Sequence, residues 1–246
     1  MKTSVDVLGV GVHPLTWSEL LACVGEFIAA GVPRTIAYAN VHVINTAARN
    51  APLRDFLTSV DVCYCDGNGV VLGAKLLGRE IPERMTGADW IWSLAEVATD
   101  REWRVYWIGG APGITEAAAE KLKERHPALQ IATDHGYHAK TGPENDTALA
   151  KINAFAPHIV LVGMGTPLQE QWVNEVRASL NAPVVWCLGA TADFISGTVQ
   201  RPGPEWLVEN HEWLSRLIAD PRRLWQRYLI GNTAFLARVV RARLLR

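Results

Sequence analysis

The sequence predicts an α/β fold: a Rossmann-like, mostly parallel sheet with helices on both faces, followed by a C-terminal helical appendage. Apolar runs rich in β-branched and aromatic residues alternate with helical patterns, which favours parallel strands joined by helices. A hydrophobic content of 49% with 20% charged residues is ample for a packed core. The alternation stops near residue 200, so we predict an α/β domain over residues 1–200 and an appendage over residues 201–246.

Seven apolar runs carry the strand prediction, and they cover residues 5–10, 35–39, 60–65, 103–108, 129–133, 159–162 and 184–188. Helical patterns cover residues 17–30, 41–50, 70–77, 89–99, 115–125, 146–155 and 168–180. Thr86, with Asp89 three residues later, resembles a capping box at the start of one of these helices.

The net charge of −1 conceals an asymmetry along the chain. Residues 213–246 hold eight arginines against Asp220 alone, a charge of +7, which leaves −8 for the rest. Such a split indicates an anionic partner: phospholipid, nucleic acid or a phosphate-bearing substrate. We expect no membrane span, because no run approaches the roughly 18 apolar residues that one needs. We also expect no signal peptide, and four cysteines without metal-finger spacing fit a reducing cytoplasm.

The appendage shows the signals of a basic amphipathic segment. Asp220 followed by Pro221 predicts a helix start, and Gly231 predicts the end of one helix before the next is capped. Between them, Trp225 and Tyr228 belong to an apolar face that lies opposite arginines. This pattern suits the surface of an anionic membrane. The alternative is a helical hairpin docked on the sheet, its arginines merely solvated.

Chemistry is expected at the carboxyl ends of the strands, where open parallel sheets bind ligands. Asp66 follows a predicted strand directly and precedes Gly67 and Gly69. An acid in this place can act as a general base, and the glycines let a substrate come close. The alternative role for Asp66 is that of a helix N-cap.

Two glycine loops follow other predicted strands. Gly109 and Gly110 open a loop whose backbone amides can hold a phosphate at a helix start, unless the loop is only a tight turn. Gly163 and Gly165 lie in Gly-Met-Gly-Thr-Pro-Leu-Gln-Glu, which places Gln169 near a ligand above the sheet. The alternative for this second loop is helix capping, with its polar residues facing solvent.

Two further charged residues carry open alternatives. Asp193 can accept hydrogen bonds from a ribose or cap a turn, and Arg84 is either a phosphate ligand or a solvated charge. The histidines show no ligand spacing, and there is no Asp-x-Asp pair, so no metal site is predicted.

Five motifs occur in order: Asp66-Gly-Asn-Gly-Val-Val, Pro82-Glu-Arg-Met-Thr-Gly-Ala-Asp89, Gly163-Met-Gly-Thr-Pro-Leu-Gln-Glu, Gly189-Ala-Thr-Ala-Asp-Phe-Ile-Ser-Gly and Glu212-Trp-Leu-Ser-Arg-Leu. Together they resemble the WecG/TagA/CpsF family of bacterial glycosyltransferases (glycosyltransferase family 26). The resemblance implies inverting, metal-independent transfer of a hexose-type sugar from UDP to a polyprenyl-diphosphate-linked saccharide, in the synthesis of a surface polysaccharide or teichoic acid. It implies no cofactor and a position on the inner face of the cell membrane, and it allows a homo-oligomer.

The resemblance also implies roles for individual residues. Asp66 would take the proton of the acceptor hydroxyl, while Arg84 and Gln169 would line the sugar and phosphate site. The substrate-binding positions that it implies are Asn40, Tyr137 for stacking on uracil, Asp193 toward the nucleotide, and the appendage arginines Arg216 and Arg223. Tyr38 and Leu168 depart from the family pattern, which has threonine and a basic residue at these positions; these departures bear on the donor sugar.

Rival functions make different demands on the sequence. A nicotinamide-dependent oxidoreductase needs a glycine-rich fingerprint with an acid about 20 residues further on, and that pairing is absent. A non-catalytic membrane scaffold would not need Asp66. Nucleic-acid binding is disfavoured by the acidic body of the chain and by the absence of a recognised motif.

Overall fold

The computed structural model describes residues 2–200 and 212–245, apart from the side chains at positions 212, 215, 216, 219 and 223. Its centre is a parallel sheet of six strands, in the order β4-β3-β8-β7-β5-β6. These strands are β3 (Arg34–Ala39), β4 (Val62–Cys65), β5 (Val105–Gly109), β6 (Ile131–Asp134), β7 (Ile159–Gly163) and β8 (Val184–Cys187). The predicted parallel α/β architecture is thereby confirmed.

Helices flank the sheet and connect its strands, as the alternating pattern predicts. In the body of the chain they are α1 (Trp17–Ala30), α2 (Val41–Ala47), α3 (Ala51–Ser59), α4 (Asn68–Leu76), α5 (Gly87–Asp100), α6 (Ile114–Arg125), α7 (Pro143–Phe155), α8 (Leu168–Val176) and α9 (Thr191–Ser196). Helix α3 lies in a stretch without a predicted element; the Asn50 side chain caps it by accepting a hydrogen bond from Leu53 N.

The prediction of one strand over residues 5–10 is wrong. The segment forms an antiparallel hairpin, β1 (Val5–Val7) and β2 (Val10–Val12), outside the main sheet. Leu8 and Gly9 take positive φ values of 56° and 89°, and Asp6 accepts a hydrogen bond from Gly9 N. This tight turn reverses the chain within a run that is apolar on both sides of it.

Buried aromatic and aliphatic side chains fill the space between sheet and helices. Trp107, Trp172 and Trp186 are each at most 1% exposed, and the strand residues of β4, β5, β7 and β8 are buried throughout. Because all six strands run in one direction, their carboxyl ends meet at a single edge of the sheet. The loops that leave this edge carry most of the residues predicted to be functional.

The C-terminal segment is helical: α10 (Glu212–Ala219), α11 (Pro221–Trp225), a π-helical turn (Gln226–Ile230) and α12 (Gly231–Leu244). Pro221 is the first residue of α11, as predicted. The predicted helix stop at Gly231 is wrong, because Gly231 has helical torsion angles (φ −63°, ψ −47°) and continues the π-helical turn into α12.

Helix α12 packs on α2 and α4, which follow β3 and β4 at the carboxyl edge of the sheet. Phe235 and Val239 are buried there, and a β-carbon on Gly73 of α4 would lie 2.6 Å from the Phe235 ring. Asn45 of α2 donates a hydrogen bond to Gly231 O and accepts one from Arg238. No helix within the described residues is long and apolar enough to cross a membrane.

Candidate active site

Asp66 leaves β4 at the carboxyl edge, and its carboxylate is held from two directions. Asn40 Nδ2 donates to Oδ2 at 3.1 Å, and Thr86 Oγ1 donates to Oδ1 at 3.2 Å. The Asp66 amide donates to Ala39 O at 2.9 Å, which extends the pairing of β3 and β4 into the loop. A half-buried acid held by hydrogen bonds such as those from Asn40 and Thr86 can accept a proton from a bound hydroxyl group.

The alternative role of Asp66 as a helix cap is wrong, since Gly67 is the N-cap of α4 and has no side-chain cap. Asn40 serves two purposes: its Oδ1 accepts from Val43 N at the start of α2, which leaves Nδ2 to meet Asp66. This pattern of donors fixes the orientation of the Asn40 amide.

The predicted capping box of Thr86 and Asp89 is also wrong. Thr86 is the N-cap residue of α5, but its side chain accepts no capping hydrogen bond; its hydroxyl group donates to Asp66. Asp89 accepts from Arg84 Nη2 at 3.2 Å, and the Arg84 side chain is only 19% exposed. Arg84 is therefore not a fully solvated charge, and the bond from Met85 N to Cys65 O brings its segment beside the Asp66 loop.

Three glycines stack at the ends of β5, β7 and β8. A β-carbon on Gly109 would lie 2.3 Å from Gly163 O, and one on Gly163 would lie 2.6 Å from Gly189 O. The Gly110 amide donates to Gly163 O, so it is already used within the protein. Only residues without side chains allow the loops to approach this closely. Gly165, at φ 81°, has open space around its α-carbon.

The loop after β6 adds an exposed aromatic ring. Gly136 packs on Gly109, and the next residue, Tyr137, is 76% exposed. His138 turns inward to make an edge contact with Trp172, and burial lowers the pKa of its imidazole. The loop that carries Tyr137 thus lies beside Gly109, and it follows β6, the strand at the opposite end of the sheet from β4 and Asp66.

Gln169 and Glu170 are buried at the start of α8, at 0% and 1% exposed, so their predicted alternative as solvent-facing residues is wrong. Gln169 Oε1 accepts from Gly189 N at 3.0 Å, and Gln169 Nε2 donates to Glu170 at 2.8 Å. Asp193 is half-buried in the first turn of α9, whose N-cap is Ala190. The side chains of Arg216 and Arg223 lie outside the described residues.

Two residues that were not predicted to be site residues border the site. Thr86 binds Asp66, and His42 lies on α2 two residues after Asn40. Burial, and then the nearby charge of Arg227 in the C-terminal segment, lower the pKa of His42 to about 4. No local pattern could have indicated either role, because each depends on a contact between distant parts of the chain.

Among the residues that the structure describes, no group of three or more His, Cys, Asp or Glu side chains is placed to hold a metal ion.

Comparison with known proteins assigns the chain to a family. The model of the Glycosyl transferase WecG/TagA/CpsF family matches residues 5–246. The N-acetylglucosaminyldiphosphoundecaprenol N-acetyl-beta-D-mannosaminyltransferases of Staphylococcus aureus strains NCTC 8325 / PS 47 and MRSA252 are each 26% identical to the chain over 222 residues. Each alignment covers 89% of this chain and 86% of the relative. The chain, with its Asp66 loop and its stacked glycines, therefore belongs to the Glycosyl transferase WecG/TagA/CpsF family.

Proposed function

We propose that this protein transfers a hexose-type sugar from a UDP donor to a polyprenyl-diphosphate-linked saccharide at a membrane surface. The donor sugar is N-acetylmannosamine, its uronic acid or a glucose-like hexose. The observation that carries the proposal is the Asp66 carboxylate, held by Asn40 and Thr86 at the edge where parallel sheets bind ligands. The curated relatives are named for an acceptor of the same lipid-diphosphate class.

In the proposed reaction Asp66 takes the proton of the acceptor hydroxyl as its oxygen attacks the anomeric carbon of the donor. The new carbon–oxygen bond forms on the face opposite to the breaking bond to phosphate, so a single displacement inverts the configuration. UDP leaves with the bonding electron pair. One carboxylate is enough for this scheme, because no covalent sugar–enzyme intermediate forms.

The leaving diphosphate gains negative charge, which a transferase must stabilise. The proposal assigns this role to arginines rather than to a metal ion. Arg84 is mostly buried, and its ion pair with Asp89 orients the guanidinium group. A side chain oriented in advance loses little conformational entropy when it binds a diphosphate. Arg227 supplies a second positive charge from the C-terminal segment, close enough to His42 to alter its pKa. The exposed Tyr137 ring is the proposed stacking partner of uracil.

The first test is UDP release from a pool of UDP-hexoses, with a short-chain polyprenyl-diphosphate N-acetylglucosamine as acceptor. We expect Asp66→Asn to lower acceptor-dependent release by roughly 10²-fold or more, the range for a lost general base. Asp100→Asn is the matched control, because Asp100 is exposed at the far end of α5. Equal release from Asp66→Asn and wild type would contradict the role of Asp66, and no release from either protein would favour a scaffold. Dividing the pool would identify the donor.

A further inference from the structure

Glu170 is a carboxylic acid at the start of α8 that has almost no contact with solvent. It is 1% exposed, and its neighbour Gln169 is fully buried. A carboxyl group in such a place costs free energy unless hydrogen bonds compensate for its lost water. The hydrogen-bond partners of Glu170 therefore indicate its role.

Two side chains donate to the same oxygen of Glu170. Thr166 Oγ1 and Gln169 Nε2 each reach Oε1 at 2.8 Å. The other end of the Gln169 amide accepts from Gly189 N, a backbone group that can only donate. The Gln169 amide is therefore fixed in one orientation, and it connects Glu170 to the loop after β8.

The network also reaches β3. Because Thr166 gives its only hydroxyl proton to Glu170, the Tyr38 hydroxyl is the donor in its 3.5 Å contact with Thr166. The same Tyr38 hydroxyl lies 2.7 Å from the position that a β-carbon on Gly189 would take. Glu170 thus connects the loops after β7 and β8 directly, and Thr166 extends the network to Tyr38 in β3.

The surroundings of Glu170 favour its neutral form. No described residue lies within hydrogen-bonding distance of Oε2. Burial raises the pKa of Glu170, although the bonds from Gln169 and Thr166 oppose this effect. The titratable groups that interact with it are Tyr38, Cys63 and Cys187. Burial raises the pKa of each, so they stay protonated and neutral, and none of them can stabilise an ionised Glu170.

We propose that Glu170 is a positioning residue, whose Oε1 holds Thr166 and Gln169 and thereby sets Gly189 and Tyr38 around the bound donor. This inference rests on the proposed transferase function for its kinetic readout. What the network requires is an acceptor at Oε1, which the isosteric glutamine also offers. A negative charge at position 170 is not required, and neither is direct contact between Glu170 and the substrate.

The kinetic test compares Glu170→Gln with Glu170→Leu in acceptor-dependent UDP release. We expect Glu170→Gln to keep most of kcat and the wild-type pH profile, because its amide oxygen accepts both donors. Glu170→Leu leaves both donors unpaired and lets the loops shift, so kcat falls by about 10²-fold. Loss of activity in Glu170→Gln as large as in Glu170→Leu would overturn the proposal, since it would show that the ionised carboxylate is needed.

If Glu170→Leu does not fold, Thr166 provides the same comparison. Thr166→Ser keeps the hydroxyl donor and is expected to retain kcat, whereas Thr166→Val removes it and is expected to lose activity. Wild-type activity in Thr166→Val would contradict the network.

A double-mutant cycle in urea tests the network without reference to activity. We expect Thr166→Val and Glu170→Leu together to lower the unfolding midpoint by less than the sum of the single changes. The reason is that each change alone already removes the same hydrogen bond, from Thr166 to Glu170. Additive shifts would overturn the inference. If the wild-type protein releases no UDP, the proposed function fails while this cycle still decides whether the network exists.

Discussion

At the scale of single residues, the two donors to Asp66 give the sharpest test of the site. Thr86→Val is nearly isosteric but removes the hydroxyl that reaches Oδ1 at 3.2 Å. A hydrogen bond to a charged group contributes about 1.5–3 kcal/mol, so losing it should lower kcat by about tenfold or more. UDP release measured at saturating donor checks this, with circular dichroism to confirm the fold.

Thr86→Ser is the control, since it keeps the donor and loses only a methyl group. Thr86 makes no side-chain cap, so helix α5 should be equally stable in both variants. If valine and serine gave the same rate, the bond to Asp66 would have no part in transfer.

His42 predicts a pH dependence of stability. Burial and Arg227 lower its pKa from 6.5 to about 4, so the folded protein binds this proton less readily than the unfolded chain. The stability that this provides is fully present above pH 6.5 and is lost as the pH falls toward about 4. Urea midpoints measured across this range should fall more steeply for wild type than for His42→Asn. Parallel curves for the two proteins would contradict the assignment.

The sequence predicted some residues of the site but not all of the contacts between them. Asp66 and Asn40 could be proposed as site residues from their places beside predicted strands and the family motifs, and the structure puts their side chains in contact. Thr86 and Glu170 lie in the same family motifs, but their contacts could not be predicted from the sequence. A threonine before a helix has the local pattern of a cap, and a glutamate in a first turn that of a solvated charge. In the structure, hydrogen bonds give both residues other roles: Thr86 donates to Asp66, and Glu170 accepts from Thr166.

At the scale of elements, the close approach of three loops predicts a specific intolerance at Gly163. A β-carbon there would lie 2.6 Å from Gly189 O, a backbone atom that cannot move aside without shifting β8. Overpacking of this kind costs about 1–3 kcal/mol. We expect Gly163→Ala to lower both the urea midpoint and kcat, because the displaced loop carries Gly189 and its bond to Gln169.

Gly31→Ala separates the two effects. Gly31 ends α1 at φ 66° with open space around it, so alanine there adds backbone strain without a clash and far from Asp66. It should lower stability, on the order of 1 kcal/mol, and leave kcat unchanged. A Gly163→Ala variant that lost stability but kept full activity would show that the loops tolerate the shift.

Continuous apolar runs predicted the sheet well, because a buried parallel strand must be apolar on both faces. The same reasoning failed for residues 5–10, where a turn at Leu8 and Gly9 lies within an apolar run. It failed again at Gly231, where the side chains of α12 pack on α2 and α4 and keep the chain helical through a residue that usually ends a helix. Tertiary packing thus overrode local preference at Gly231, whereas in residues 5–10 a local turn interrupted the apolar run.

At the scale of the whole molecule, α12 has one buried and one exposed apolar face. Phe235 and Val239 are buried against the body, while the outer face, made of Leu236, Val240 and Leu244, is 44%, 48% and 80% exposed. The buried face packs on α2 and α4, whose first turns lie next to Asn40 and Asp66. A membrane surface suits this face, because arginines flank it and can meet lipid phosphates.

This arrangement predicts a selective defect in the double variant Leu236→Ser/Leu244→Ser. Removing two apolar side chains from the outer face should weaken binding to phosphatidylglycerol vesicles by on the order of tenfold or more. Binding that remains should depend on salt, since Arg241 and Arg243 still attract the anionic surface. Transfer to a long-chain acceptor embedded in vesicles should fall in parallel, whereas transfer to a water-soluble short-chain acceptor should not, because no site residue is altered.

Val32→Ser, at a 50% exposed apolar position remote from α12, is the matched control. Undiminished vesicle binding by the double variant would mean that the arginines act alone and that the outer face of α12 has another partner.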